Sequence, residues 1–144
     1  LSKNYSIPNL KVDFVPSDIQ VPLGAWRSIG SSHNIFALES GLDEVAVWGG
    51  NDPFELRSKL LRHNSRALAV LERAKDLSDW TKPSEGHFLG MAYSDYLETY
   101  QVQVAEISVT SKGKVKVHKI TCVADCGQVF NLHIARQQLE GGII

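Results

Sequence analysis

The hydrophobic period of this chain changes from helical to two near His87, and that change constrains the fold more than any other feature. Before it, Ile35, Leu38, Leu42 and Val45 recur at helical spacing; after it, Tyr100, Val102 and Val104 alternate with polar residues. A period of 3.6 places side chains on one stripe of a helix, and a period of two places them on one face of a strand. Helices followed by strands predict an α+β fold, with helices packed on a small antiparallel sheet. The chain reads as a single unit over 1–144, with a strand plus three helices in 1–85 and a β-hairpin plus a C-terminal helix in 86–144.

The individual elements follow from local signals. Leu10, Val12 and Phe14 alternate before Pro16 and predict a strand within 9–21. A first helix is expected over about 33–48, stopped by Gly49-Gly50. Asp52-Pro53-Phe54-Glu55 sets a capping acid before a first-turn proline and predicts a second helix to about Leu61. A third runs from Ser65 to about Leu77 on an apolar face that includes Ala67, Leu71 and Ala74. Ser111-Lys112-Gly113-Lys114 is the turn of the hairpin. Apolar parity switches between Val117 and Ile120, which predicts a bulge near His118, the other reading being a strand buried on both faces. Asn131 then caps a last helix carrying Ile134 and Gln138.

Bulk properties exclude several functions. The 144 residues contain 43% hydrophobic and 22% charged side chains, enough for one continuous core. A net charge of −1 gives no surface for nucleic acid. No apolar run has the length of a membrane span, and the first residues lack the charged-then-apolar order of a signal peptide. Cys122 and Cys126 lack the spacing of a zinc site and read as small buried hydrophobes. The five histidines form no i, i+4 pair, so no protein-ligated metal site is expected. Glu140, Asp125 and Asp43 are solvated or capping in character, and Trp26, Trp48 and Trp80 read as core or interface anchors. The chain begins at Leu1 and stops at Ile144 within a helical pattern, from which neighbouring segments are expected.

Two segments carry chemistry. In the first, Pro22 to Asn34, small residues let backbone N–H groups approach a ligand, Ser31 and Ser32 add hydroxyls, and Arg27 offers a planar cationic fork for a phosphate or oxo group. On composition alone such a turn more often only caps a helix. The second runs from Asp125-Cys126-Gly127 through Asn131 to Gln138-Leu139-Glu140-Gly141-Gly142. Glutamine donates and accepts, as the edge of a heterocycle requires. The two glycines weaken a helix, which implies close approach of a ligand or of a neighbouring helix.

Taken in order, Val21 to Gly30, Asn34 to Ala46, Asn51-Asp52-Pro53-Phe54-Glu55-Leu56-Arg57, Val123-Ala124-Asp125-Cys126-Gly127, Asn131 and Gln138 to Gly142 resemble the molybdopterin-binding large subunit of the xanthine dehydrogenase and aldehyde oxidase family. Within it, the isoquinoline 1-oxidoreductase type of large (beta) subunit is the closer match. The resemblance covers nearly the whole chain. It implies a molybdenum hydroxylase that inserts water-derived oxygen into an N-heterocycle or aldehyde C–H bond. Electrons would pass to two [2Fe-2S] clusters on a partner subunit or domain.

The resemblance also implies site residues. Arg27 would lie beside the cofactor, a molybdopterin expected in its cytosine dinucleotide form, and Gln138 would hydrogen-bond the pterin. Gly30, Ser31 and Ser32 would let backbone approach, and Asp125 would shape the strand end. Molybdenum would be held by the pterin dithiolene, so protein metal ligands are not required. Ile29 stands where xanthine-oxidising members carry phenylalanine, so purine specificity does not follow. The family's catalytic glutamate lies downstream of the Gln-x-Glu-Gly helix, and Glu140 is not that residue. No catalytic residue is therefore assigned. The isolated chain is expected to be inactive and to bind no cofactor tightly. The other reading is a standalone binding or dimerisation domain derived from this family, and an apolar surface would favour a homodimer in either case.

Overall fold

Four helices form where the capping chemistry permits, and they account for the first half of the chain and its end. A computed structural model describes residues 4–18 and 20–144. Helix α1 (Ser31–Trp48) starts two residues before its expected position and is closed by Gly49 and by Gly50 at φ +66°, a left-handed conformation that suits glycine. In α2 (Pro53–Leu61), Asp52 Oδ1 accepts from the N–H groups of Phe54 and Glu55 at 2.7 and 3.3 Å. Asn64 does the same for α3 (Ser65–Ser78), accepting from Ala67 N–H at 3.1 Å. The last helix, α4 (Leu132–Ile143), is capped by Asn131, which accepts from Ile134 N–H at 3.0 Å. Each side-chain cap satisfies a donor that the helix leaves open, worth about 1 kcal/mol.

The second half builds a three-stranded antiparallel sheet in the order β1 (His87–Tyr96), β2 (Thr99–Val109), β3 (Val115–Asp125). The expected hairpin is β2–β3, and β1 adds a strand to it. Glu106 pairs with Lys119 and Ile107 with Val117, leaving His118 as the extra residue of a bulge. That bulge explains the parity switch.

The strand expected within 9–21 is not formed. Residues 9–18, 20 and 21 take up no strand structure, and Ile19 lies outside the described residues. Phe14 is 88% exposed. Alternation specifies a strand only when a sheet edge accepts its backbone and a core receives its apolar side. The outer edge of β1 is not available, because α1 runs along it and Glu39 Oε2 accepts from Tyr93 N–H at 2.8 Å.

The two faces of the sheet differ sharply. Met91, Tyr93, Val102 and Val104 form the inner face and are almost wholly buried against Leu61, Ala67, Leu71 and Ala74 of α2 and α3. Each such side chain contributes about 1.5–3 kcal/mol by leaving water. Within this layer Arg57 is fully buried and donates to Glu39 Oε2 at 2.9 Å, to Asp43 Oδ1 at 2.6 Å and to the carbonyls of Glu39 and Pro53. Tyr5 O–H donates to Glu39 Oε1 at 3.0 Å. Burial pushes the Glu39 carboxyl above its ordinary range, against the opposing charge of Arg57.

The middle of the opposite face consists of the cross-strand rows Ser94–Gln101–Ala124, Ala92–Gln103–Cys122 and Gly90–Ala105–Ile120. No bulky aromatic stands on these rows. The segment around Arg27 and helix α4 lie over this face.

Candidate functional site

The approach to the site is a turn under conformational strain. Ile29 N–H donates to the Trp26 carbonyl at 3.0 Å, which closes a tight turn around Arg27 and Ser28. Ser28 and Ile29 both take positive φ, 65° and 49°. For a β-branched residue this is rare, and left-handed geometry costs about 1–2 kcal/mol per residue. Strain of this kind persists where surrounding contacts hold it, and here it presents the Arg27 side chain to α4.

Arg27 Nη2 donates to Gln138 Oε1 at 3.1 Å and lies 3.4 Å from the Gln138 carbonyl oxygen, joining segments 111 residues apart. A Cβ placed on Gly142 would lie 4.0 Å from Arg27 Nη1, so the guanidinium is what approaches the glycine pair. Helix α4 buries no residue of its own. This hydrogen-bonded pair is therefore its principal polar tie to the Arg27 turn.

Beneath the pair lies a trough over the open face of the sheet. Two adjoining cavities of about 530 and 570 Å3 share Arg27, Ser28, Ser32, Thr99, Gln101 and Gln103. One extends past Ser31, Ser94 and Tyr96, the other past Cys126 and Gln138. Volumes of this size suit a small molecule or cofactor. Guanidinium, hydroxyl and carboxamide groups equip the trough to hold a polar, anionic ligand by charge-assisted and neutral hydrogen bonds.

The site residues anticipated from sequence thus fall in two places. Arg27, Ser31, Ser32 and Gln138 line the trough, whereas Gly30 is the N-cap of α1 and lines a separate hollow with Ile29 and Asn34. Gln101 and Gln103 were not anticipated. Their signal was present as glutamines alternating with Val102 and Val104, but alternation alone reads as ordinary solvent-facing polarity. Asp125 ends β3, as expected, and its carboxylate accepts from Arg66 Nε and Nη2, both at 2.8 Å, and from Gly127 N–H at 2.9 Å.

Other expectations are corrected. Cys126 is exposed beside the trough and Cys122 is only half buried, because β3 ends before Cys126 and Cys122 stands on the open face. Partial burial pushes the Cys122 thiol up, away from reactivity. Of the tryptophans read as core or interface anchors, Trp80 packs against the core and donates to Asp52, whereas Trp26 and Trp48 are 82% and 84% exposed and lie outside it, which leaves them the interface reading. His87 and His118, far apart in sequence, stack at 4.0 Å across the sheet. No cluster of three or more metal-ligating side chains exists among the described residues.

Comparison with known proteins gives this arrangement a family. The Molybdopterin cofactor-binding domain family matches residues 68–144, the span from α3 through the sheet to α4. The chain is 31% identical over 145 residues, 97% of its length, to the beta subunit of isoquinoline 1-oxidoreductase from Brevundimonas diminuta. It is 30% identical over 140 residues, 83% of its length, to a nicotinate dehydrogenase subunit from Pseudomonas putida. It spans 19% and 12% of these relatives, respectively. No solved structure matches the chain significantly. With the match extending over more than half of the sequence and including the strands and helix that frame the trough, the chain belongs to the molybdopterin cofactor-binding domain family.

Proposed function

We propose that this chain forms one wall of the molybdenum-cofactor site of a molybdenum hydroxylase, an oxidoreductase acting on an N-heterocycle or an aldehyde. The observation that carries this reading is the hydrogen bond between Arg27 and Gln138 over a cavity of about 570 Å3. Both relatives carry names that specify N-heteroaromatic compounds, isoquinoline and nicotinate, which favours the heterocycle. The cofactor would be molybdopterin, in its cytosine dinucleotide form, with molybdenum held by the pterin dithiolene.

The donor set fits such a group. Arg27 supplies the planar cation that pairs with a phosphate or oxo oxygen, Ser31 supplies a hydroxyl donor at the start of α1, Ser32 Oγ donates to the Ile29 carbonyl at 3.3 Å and offers its oxygen as an acceptor, and Gln138 supplies a carboxamide. Gly30 sets the backbone that leads from the Arg27 turn into α1. When bound, the cofactor supplies the redox centre and the oxygen-transfer chemistry. The residues here bind and orient it; none acts as a proton acceptor for the reaction, and Glu140 points to no such role from its exposed place on α4. Catalysis then requires the rest of a large subunit and a partner carrying two [2Fe-2S] clusters.

The test is a titration of the isotopically labelled chain with molybdopterin cytosine dinucleotide, followed by NMR. Weak, saturable shifts confined to the residues around the trough, 27–32, 99–103 and 135–142, are expected, and Arg27→Met should abolish them. Shifts elsewhere, or a response indifferent to Arg27→Met, would refute the assignment.

A further inference from the structure

The trough contains one carboxamide that the fold itself does not use. Gln103 stands in the middle strand at the centre of the row Ala92–Gln103–Cys122. It is half buried, and it borders both halves of the trough and the groove under α1. Its side chain has no hydrogen-bond partner among the described residues. Gln101, two positions away, is engaged: its Nε2 donates to Cys122 Sγ at 3.2 Å. The amide reaches solvent within the trough and is not held by the fold, so both its donor and its acceptor are free to meet a ligand there.

The surroundings restrict what that partner is. The small residues Ala92, Ser94 and Ala124 line the trough beside Gln103 and Gln101, leaving a strip onto which a flat ring system can settle. A carboxamide presents a donor and an acceptor side by side, the complement of a cis-amide or amidine edge on a ring. An anion would be served by Arg27 instead, at the α4 side of the trough. We infer that Gln103 reads the edge of a planar heterocycle that carries adjacent N–H and C=O groups. Two sources share this chemistry: the pyrimidinone ring of the cofactor's pterin, and an oxo-substituted heterocycle at the substrate position. The inference deepens the proposed cofactor site and rests on it.

The experiment uses the full chain and three probes: 6-hydroxymethylpterin, isoquinolin-1-one and isoquinoline, which is flat but lacks the amide edge. Affinities are measured by fluorescence, and the Gln103 side-chain NH2 resonances report contact. The two amide-edged probes should shift those resonances. Gln103→Leu should weaken both by about tenfold, as expected for two neutral hydrogen bonds, and leave isoquinoline unchanged. Gln103→Glu, which keeps the shape and removes the donor pair, should behave like Gln103→Leu. Tighter binding of the pterin assigns the position to the cofactor, and tighter binding of isoquinolin-1-one assigns it to the substrate. Equal binding of all three probes, or indifference to both variants, overturns the inference. The response of the dinucleotide to Arg27→Met is independent of Gln103, so the site itself stands or falls separately.

Discussion

Arg57 and Arg27 are both arginines facing glutamate or glutamine oxygens, and burial makes their roles opposite. Arg57 is wholly enclosed, its N–H groups shared among Glu39, Asp43 and two carbonyls. Removing the Glu39 side chain leaves that cation enclosed without the carboxylate that faces its Nε, and strips the acceptor from Tyr5 O–H and Tyr93 N–H. Breaking a buried pair from one side costs about 3–5 kcal/mol. Glu39→Ala should therefore lower the unfolding free energy by about that amount in urea titrations. Arg27→Met, at an exposed pair, should change it by less than about 1 kcal/mol. A Glu39→Ala loss below about 1 kcal/mol would contradict the role given to this network. Arg27 and Gln138 could be singled out in advance because ordered motifs frame them. Glu39 and Gln103 could not, since what distinguishes them is the presence or absence of a partner distant in sequence.

The helices were legible as elements because their caps are local chemistry: Asp52, Gly49-Gly50 and Asn131 act within a few residues of themselves. Strand β1 was hidden for an equally local reason. The central residues of its open face, Gly90, Ala92 and Ser94, are small, which blurs the alternation, and its turn to β2 consists of Leu97 and Glu98 at φ 48° and 62°. Two left-handed residues between Tyr96 and Thr99 make the two-residue turn that matches strand twist, normally signalled by Asn-Gly. Replacing Leu97-Glu98 by Asn-Gly should relieve backbone strain and raise stability by about 1 kcal/mol or more, read as a higher urea midpoint at unchanged slope. Destabilisation would mean that Leu97 or Glu98 makes contacts that outweigh the strain; the contact at risk is the Glu98 carbonyl, which lies 3.4 Å from Arg66 Nη2.

Across the molecule, the helical core and the open face of the sheet are joined at the end of β3 by Arg66 and Asp125. Arg66 leaves α3, crosses the Tyr100 ring with its guanidinium carbon 4.7 Å from the centroid, and grips the Asp125 carboxylate at 2.8 Å. The same carboxylate accepts from Gly127 N–H, fixing the turn that carries Cys126 toward α4. Arg66, and secondarily the Gly127 N–H, hold the Asp125 carboxyl at about 2, below its ordinary 3.8. A carboxyl depressed in the folded state favours folding while it is ionised. Its contribution is complete above 3.8 and is lost as pH falls through about 2. Carboxyl 13C NMR should place the Asp125 midpoint near 2. Asp125→Asn should lower the urea midpoint at neutral pH, and its difference from the unaltered protein should shrink as pH falls from 3.8 toward about 2. It should also broaden the Gly127 and Cys126 amide resonances at neutral pH, because the turn loses its acceptor while the core on the far side of the sheet is untouched. A midpoint at the ordinary value, or a turn indifferent to Asp125→Asn, would show that the two faces are held together by packing alone.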